Sequence, residues 1–149
     1  FIAGRSTSLV TEYYLRSLPA EIYGRAWEQT GDTARFAPRM AKALKNLARY
    51  AAAYPLGRPV FRWARGKAFA LSGRNGEAIG HWRKGLAAAD GKGLSWAEGR
   101  LDLALASSPQ LPVAQRRVYA QRAWAQFERR GIGPALIECN SLLGGLKDS

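Results

Sequence analysis

Apolar residues recur along this chain at helical spacing, and nowhere do apolar and polar positions alternate for long enough to mark a strand. Seven helices are expected, over about 8–30, 33–54, 59–71, 75–89, 95–106, 112–130 and 133–143. The second is the clearest. Phe36, Met40, Ala43, Leu44, Leu47, Ala51 and Tyr54 share one face, and Arg35, Arg39, Lys42, Lys45 and Arg49 share the other. Prolines and glycines punctuate the pattern. Pro19 cannot donate a helical hydrogen bond and is expected to break the first helix, and Pro38 is expected to move the first turn of the second toward Ala37. "YPLGRP" (54–59) ends that helix, because Pro55 disfavours helical geometry at the residue before it. Ser95 is placed as the N-cap of the fifth helix, and 144–149 is expected to fray. The chain reads as a single all-α domain over 1–149.

One phrase recurs. "AWEQTGDTARFAPRMAKAL" and "AFALSGRNGEAIGHWRKGL" each close a helix on an aromatic (Trp27, Phe69) and turn on a glycine (Gly31, Gly73). A second helix of interleaved small and large apolar residues then follows. "QFERRGIGPALIECNSLL" repeats the theme with Phe127 and Gly131, one residue out of register thereafter. Glycine in the left-handed conformation ends the first helix of each unit. Ala78 and Gly85 are small enough to let the antiparallel partner come close.

These units resemble tetratricopeptide repeats. Gly66, Phe69, Gly73, Ala78, Trp82 and Leu86 stand where that family places its small and large signature residues. Trp96 and Leu103 follow Arg62 and Phe69 at a spacing of 34. Gly85 in place of the usual alanine and Asp90 in place of a proline mark it as divergent. The resemblance implies antiparallel helix hairpins stacked as a short right-handed array whose concave face, lined by the first helix of each pair, takes a peptide. "LARYAAAYPLGRPVFRWARGKAFALSGRNGEAIGHWRKGLAAAD" and "AQRAWAQFERRGIG" are also similar to the C-terminal helical repeats of bacterial multidomain signalling proteins. There, a nucleotide cyclase or kinase domain precedes an AAA-type ATPase. That likeness implies a regulatory module cut from, or resembling part of, such a protein, and with an opening at Phe1 rather than Met a fragment of a longer chain is the expectation.

Charge adds a second theme. With 23 basic residues against 11 acidic ones the formal net charge is +12, a field that draws polyanions without selecting among them. An acidic peptide is therefore the expected partner, or flanking domains of the same chain, and nucleic acid is the alternative. Truncated arrays expose apolar end faces, which suits self-association. A single cysteine, Cys139, excludes an intrachain disulfide. No stretch has the length to span a bilayer, no signal segment is read, and a cytoplasmic location is the expectation.

Individual motifs carry little chemistry. Gly73-Arg74-Asn75-Gly76 spells the G-x-x-G loop of KH domains, but those need β-strands beside it, and both flanks here are helical in pattern, so a turn is expected. Gly66-Lys67 lacks the first glycine and the final hydroxyl of a phosphate-binding loop. His81, the only histidine, is expected at the surface, and Cys139 as a small buried apolar residue. The acids, from Glu12 to Asp148, are scattered singly, except that Glu98 and Asp102 share a face at i, i+4, where a solvated pair near Arg100 is expected. Trp27 and Trp82 are assigned to the core. No catalytic, metal or cofactor site is read, and the chain is expected to be non-enzymatic. Arg62, Trp63, Arg65, Lys67, Trp96 and Arg100 are the candidate partner-binding residues, with Gly66 admitting a neighbouring helix between them. Arg35, Arg39, Lys42, Arg49, Arg116, Arg117 and Arg122 form the alternative, phosphate-facing surface.

Overall fold

The computed structural model describes residues 2–147, with the side chains of Tyr13 and of 15–147. Seven helices follow in chain order: α1 (Ile2–Thr30), α2 (Thr33–Ala53), α3 (Arg58–Leu71), α4 (Asn75–Ala89), α5 (Ser95–Ala106), α6 (Val113–Arg130) and α7 (Gly133–Lys147). A single 3-10 turn (Pro55–Gly57) precedes α3. Among the described residues there is no strand; 72–74 is the turn between α3 and α4, with no sheet beside it, and Asn75 and Gly76 already belong to the first turn of α4. Asp148, the end of the expected tail and the side chain of Glu12 lie outside the described residues.

Several boundaries differ from expectation, each for a local reason. The first helix runs unbroken through Pro19, since Ala20 and Trp27 hold it in the core and outweigh one missing hydrogen bond. Asp32 accepts a hydrogen bond from the Arg35 backbone N–H at 3.0 Å, so α2 starts at Thr33 despite Pro38. Tyr54, expected on the core face, is instead extended and exposed beyond the helix end, as Pro55 dictates; Tyr50 is buried in its place. Leu94, not Ser95, is the N-cap of α5 and makes no side-chain cap. Gly144–Lys147 continues α7 rather than fraying, because Leu146 is buried against Ala106 and Ala120 and its carbonyl accepts from Arg117 Nη2 at 2.8 Å.

Neighbouring helices pack in sequence, α1 on α2, α3 on α4, α5 on α6 and α6 on α7. In addition α1 lies against α3 and α3 against α5. The recurring glycines Gly31, Gly73 and Gly131 all hold φ between 65° and 78°, the left-handed region, where the chain reverses between helices. The main core joins Trp27, Met40, Leu47, Trp63, Trp82 and Leu101, and a second gathers Phe127, Cys139, Ala123 and Leu103 between α5, α6 and α7. Glycines on helix faces set the closeness of the packing. A Cβ at Gly66 would fall on the Trp82 indole, one at Gly85 would come within 2.7 Å of Leu101, and one at Gly99 within 2.7 Å of Phe127. At the outer side of α1, Leu15, Leu18 and Ile22 are exposed.

Candidate functional site

The successive packing of α1, α3 and α5 leaves a groove of about 510 Å³ along them. Helix α1 contributes Glu21, Gly24, Arg25 and Glu28, a face at i, i+3, i+4 and i+7. Helix α3 contributes Trp63, Lys67 and Ala70, and α5 contributes Arg100, Leu103 and Ala104. The segment 107–110, Asn75 and Trp82 of α4, and Glu138 of α7 also line it. The charges in it are matched, with Glu21, Glu28 and Glu138 against Arg25, Lys67 and Arg100. Lys67 Nζ meets Glu28 Oε1 at 2.9 Å, and Arg100 Nη2 lies 3.5 Å from Glu21 Oε1. Arg100 is also stacked on two indoles, with its guanidinium carbon 4.5 Å from the Trp63 ring centre and 5.5 Å from that of Trp96. Its Nε is buried without a hydrogen-bond partner.

Three of the expected partner-binding residues, Trp63, Lys67 and Arg100, therefore line one groove. Trp63 is nonetheless largely buried, and its carbonyl accepts from Trp82 Nε1 at 3.1 Å. Trp96 sits behind Arg100, edge-on to Phe127 at 5.6 Å. Arg62 and Arg65 do not face the groove. They lie where α3 meets α4: Arg62 Nη1 donates to His81 Nδ1 at 2.8 Å, and Arg65 lies over Phe69 at 5.4 Å. The reason is angular, since positions 62, 65 and 69 follow one stripe of α3 while 63, 67 and 70 follow another. His81 is accordingly half-buried rather than a free surface residue, stacked on Phe69 at 5.1 Å. Sequence reasoning overlooked the α1 side of the groove, although the spacing of Glu21, Arg25 and Glu28 marks a single face.

The alternative basic residues divide in two. Arg35, Arg39, Lys42 and Arg49 are all exposed along α2, as is Lys45. Those on α6 are engaged with the protein itself. Arg116 Nε donates to the Ala106 carbonyl at 2.8 Å at the end of α5, Arg117 does the same for α7, and Arg122 Nε lies 3.6 Å from Asp102 Oδ2. The Glu98–Asp102 pair, expected to be solvated, is not. Asp102 is fully buried with neither carboxylate oxygen hydrogen-bonded, and Glu98 accepts from Gln126 Nε2 at 2.9 Å. Burial raises the Asp102 carboxyl to about 7, with Glu98 adding to the rise and Arg122 opposing it.

Cys139 is buried, as expected, and burial pushes its thiol up to about 11. At pH 8 the thiolate fraction is then so small that native protein should alkylate with iodoacetamide at least about a hundredfold more slowly than a free cysteine. Denaturant should restore the ordinary rate; fast native labelling, followed by intact mass, would contradict the burial.

No helix among the described residues is long and apolar enough to cross a membrane. Comparison with protein-family models, curated proteins and solved structures finds no match to this chain in any of the three.

Proposed function

We infer that this chain is a non-catalytic interaction module, a TPR-like stack of helix hairpins within a larger regulatory or signalling protein, and that it takes a peptide in the groove along α1, α3 and α5. One observation carries the reading: the groove holds an aromatic floor and cations already positioned by neighbouring glutamates, Lys67 by Glu28 and Arg100 by Glu21 and two tryptophans. An acidic side chain on the partner can take over Lys67 from Glu28, whose side chain is itself largely exposed, while Arg100 stays fixed by the rings beneath it. The balanced lining favours a peptide of mixed charge with an acidic anchor over a uniformly acidic one. The apolar face at Leu15, Leu18 and Ile22 suits a flanking domain of the same chain or a second copy.

A second reading rests on a different observation. The unbroken row of exposed cations on α2 supports nucleic acid bound through phosphates, with affinity falling steeply as salt rises. The two separate cleanly. Peptides selected from a random display library should carry an acidic position, and Lys67→Glu should weaken them tenfold or more while Lys42→Glu with Arg49→Glu leaves them unchanged. The reverse pattern, with oligonucleotide binding abolished by the α2 changes and no peptide enriched, would sink the peptide reading.

A further inference from the structure

The junction of α3 and α4 carries a basic cluster lying outside the groove. Arg62 and Arg65 come from α3, and His81 and Lys84 from α4. Arg62 donates to His81 Nδ1 at 2.8 Å, which fixes the imidazole as the tautomer that keeps its proton on Nε2. Stacking on Phe69, with ring centres 5.1 Å apart and planes 11° apart, fixes the ring orientation. Arg65 leans on the same Phe69 ring at 5.4 Å and Arg74 at 4.6 Å. Glu77 is the one acid within α3 and α4, and it is occupied by Arg74 through two hydrogen bonds of 2.8 and 2.6 Å. Among the described residues neither Arg65 nor Lys84 is ion-paired. Three cations, Arg62 on the imidazole, Arg65 on the neighbouring phenyl ring and Lys84 three positions along α4, therefore lie together, and neither Arg65 nor Lys84 has a carboxylate partner among those residues.

We propose that Arg62, Arg65 and Lys84, clustered at His81, form a binding site for the dianionic phosphate of a phosphate monoester. The shape of the cluster points to that ligand. A nucleic-acid backbone is held by cations strung along its phosphates, whereas here Arg65 and His81 share the Phe69 ring, Arg62 is tied to the same imidazole and Lys84 follows His81 by three positions on α4, a compact cluster that matches a single doubly charged head. Guanidinium forks held on a ring face are pre-organised for oxyanions and lose less freedom on binding. The electrostatics agree: burial lowers the His81 pKa below its usual value, and Arg62, Arg65 and Lys84 lower it further, against a small opposing effect of Glu77. A bound dianion offsets those three charges. The site does not depend on the peptide groove and stands or falls apart from it.

His81 is the only histidine, so its imidazole NMR signals report the site without ambiguity. At pH 7.5, titration with O-phosphoserine should move them saturably and raise the His81 pKa by on the order of one unit. Dimethyl phosphate, a diester monoanion, should bind at least tenfold more weakly. Arg65→Ala with Lys84→Ala, both at exposed positions, should weaken O-phosphoserine tenfold or more with an unchanged melting temperature. A phosphoserine pentapeptide that binds tighter than the free amino acid identifies a phosphorylated protein as the source; equal affinity identifies a small phosphomonoester. The proposal is overturned if sodium chloride at matched ionic strength reproduces the shift, if dimethyl phosphate binds equally well, or if the double variant binds as wild type. It is overturned too if an unphosphorylated-end oligonucleotide moves His81 at lower concentration than any monoester.

Discussion

Asp102→Asn is expected to stabilise this protein at pH 8 by on the order of 4 kcal/mol, and by almost nothing near pH 4. The sign follows from proton linkage. Burial raises the Asp102 carboxyl from 3.8 to about 7 in the folded state. Between those values the folded chain binds the proton and the unfolded chain has released it, so stability falls as pH rises from about 4 to 7 and stays low above. Roughly three pH units at 1.36 kcal/mol each set the size of the loss. Arg122 does not remove it, since its Nε stands 3.6 Å away on a half-exposed side chain and leaves both carboxylate oxygens without a hydrogen bond. Arg122→Ala should let the decline continue to still higher pH. His81, whose pKa is lowered, acts in the opposite direction: its contribution is complete above about 6.5 and is lost as pH falls below that value. Urea unfolding followed by tryptophan fluorescence at pH 4, 6 and 8 separates the two. An Asp102→Asn protein with the pH dependence of wild type would contradict the assignment.

Asp102 also marks where sequence reading stops. Periodicity placed the second helix, since the spacing of Phe36, Met40, Leu44 and Leu47 leaves one apolar face to bury, and glycine, proline and serine punctuation marked off the others, though not every boundary. The turns at Gly31, Gly73 and Gly131 were legible for the same reason, since the left-handed conformation admits few residues. Which way a polar residue faces within a helix pair is a different matter. Glu98 and Asp102 look alike in the sequence, yet the rotation of α5 against α6 sends one to a glutamine and buries the other. The same holds for Arg62 and Lys67. Five positions apart on α3, they belong to different sites, because the stripe that meets α4 and the stripe that meets α1 diverge by more than a quarter turn. The two glutamates paired with groove cations, Glu21 and Glu28, come from α1, more than thirty positions before Arg100 and Lys67, and no local pattern links them.

Gly66 and Trp82 provide the most sensitive test of how closely α3 and α4 are joined. Trp82→Ala should cost about 4 kcal/mol, as it empties the space of a buried indole and removes the hydrogen bond from Nε1 to the Trp63 carbonyl. Gly66→Ala alone should cost about 3 kcal/mol, because the new methyl falls on that indole and the two helices must part. The two losses should not add. With the indole gone, the Gly66 methyl enters vacated space, and alanine at a helix interior gains about 1 kcal/mol over glycine. Gly66→Ala is therefore expected to stabilise the Trp82→Ala protein while destabilising the wild type, a coupling of roughly 4 kcal/mol in a double-mutant cycle. Gly76, which has open space around it, serves as the control, and Gly76→Ala should show no coupling to Trp82→Ala. Additive losses at Gly66 and Trp82 would mean that the helices are spaced by some other contact. A reversal of sign would show that one missing Cβ sets the distance at which the hairpin closes, and with it the angle at which Trp63 and Arg100 meet across the groove.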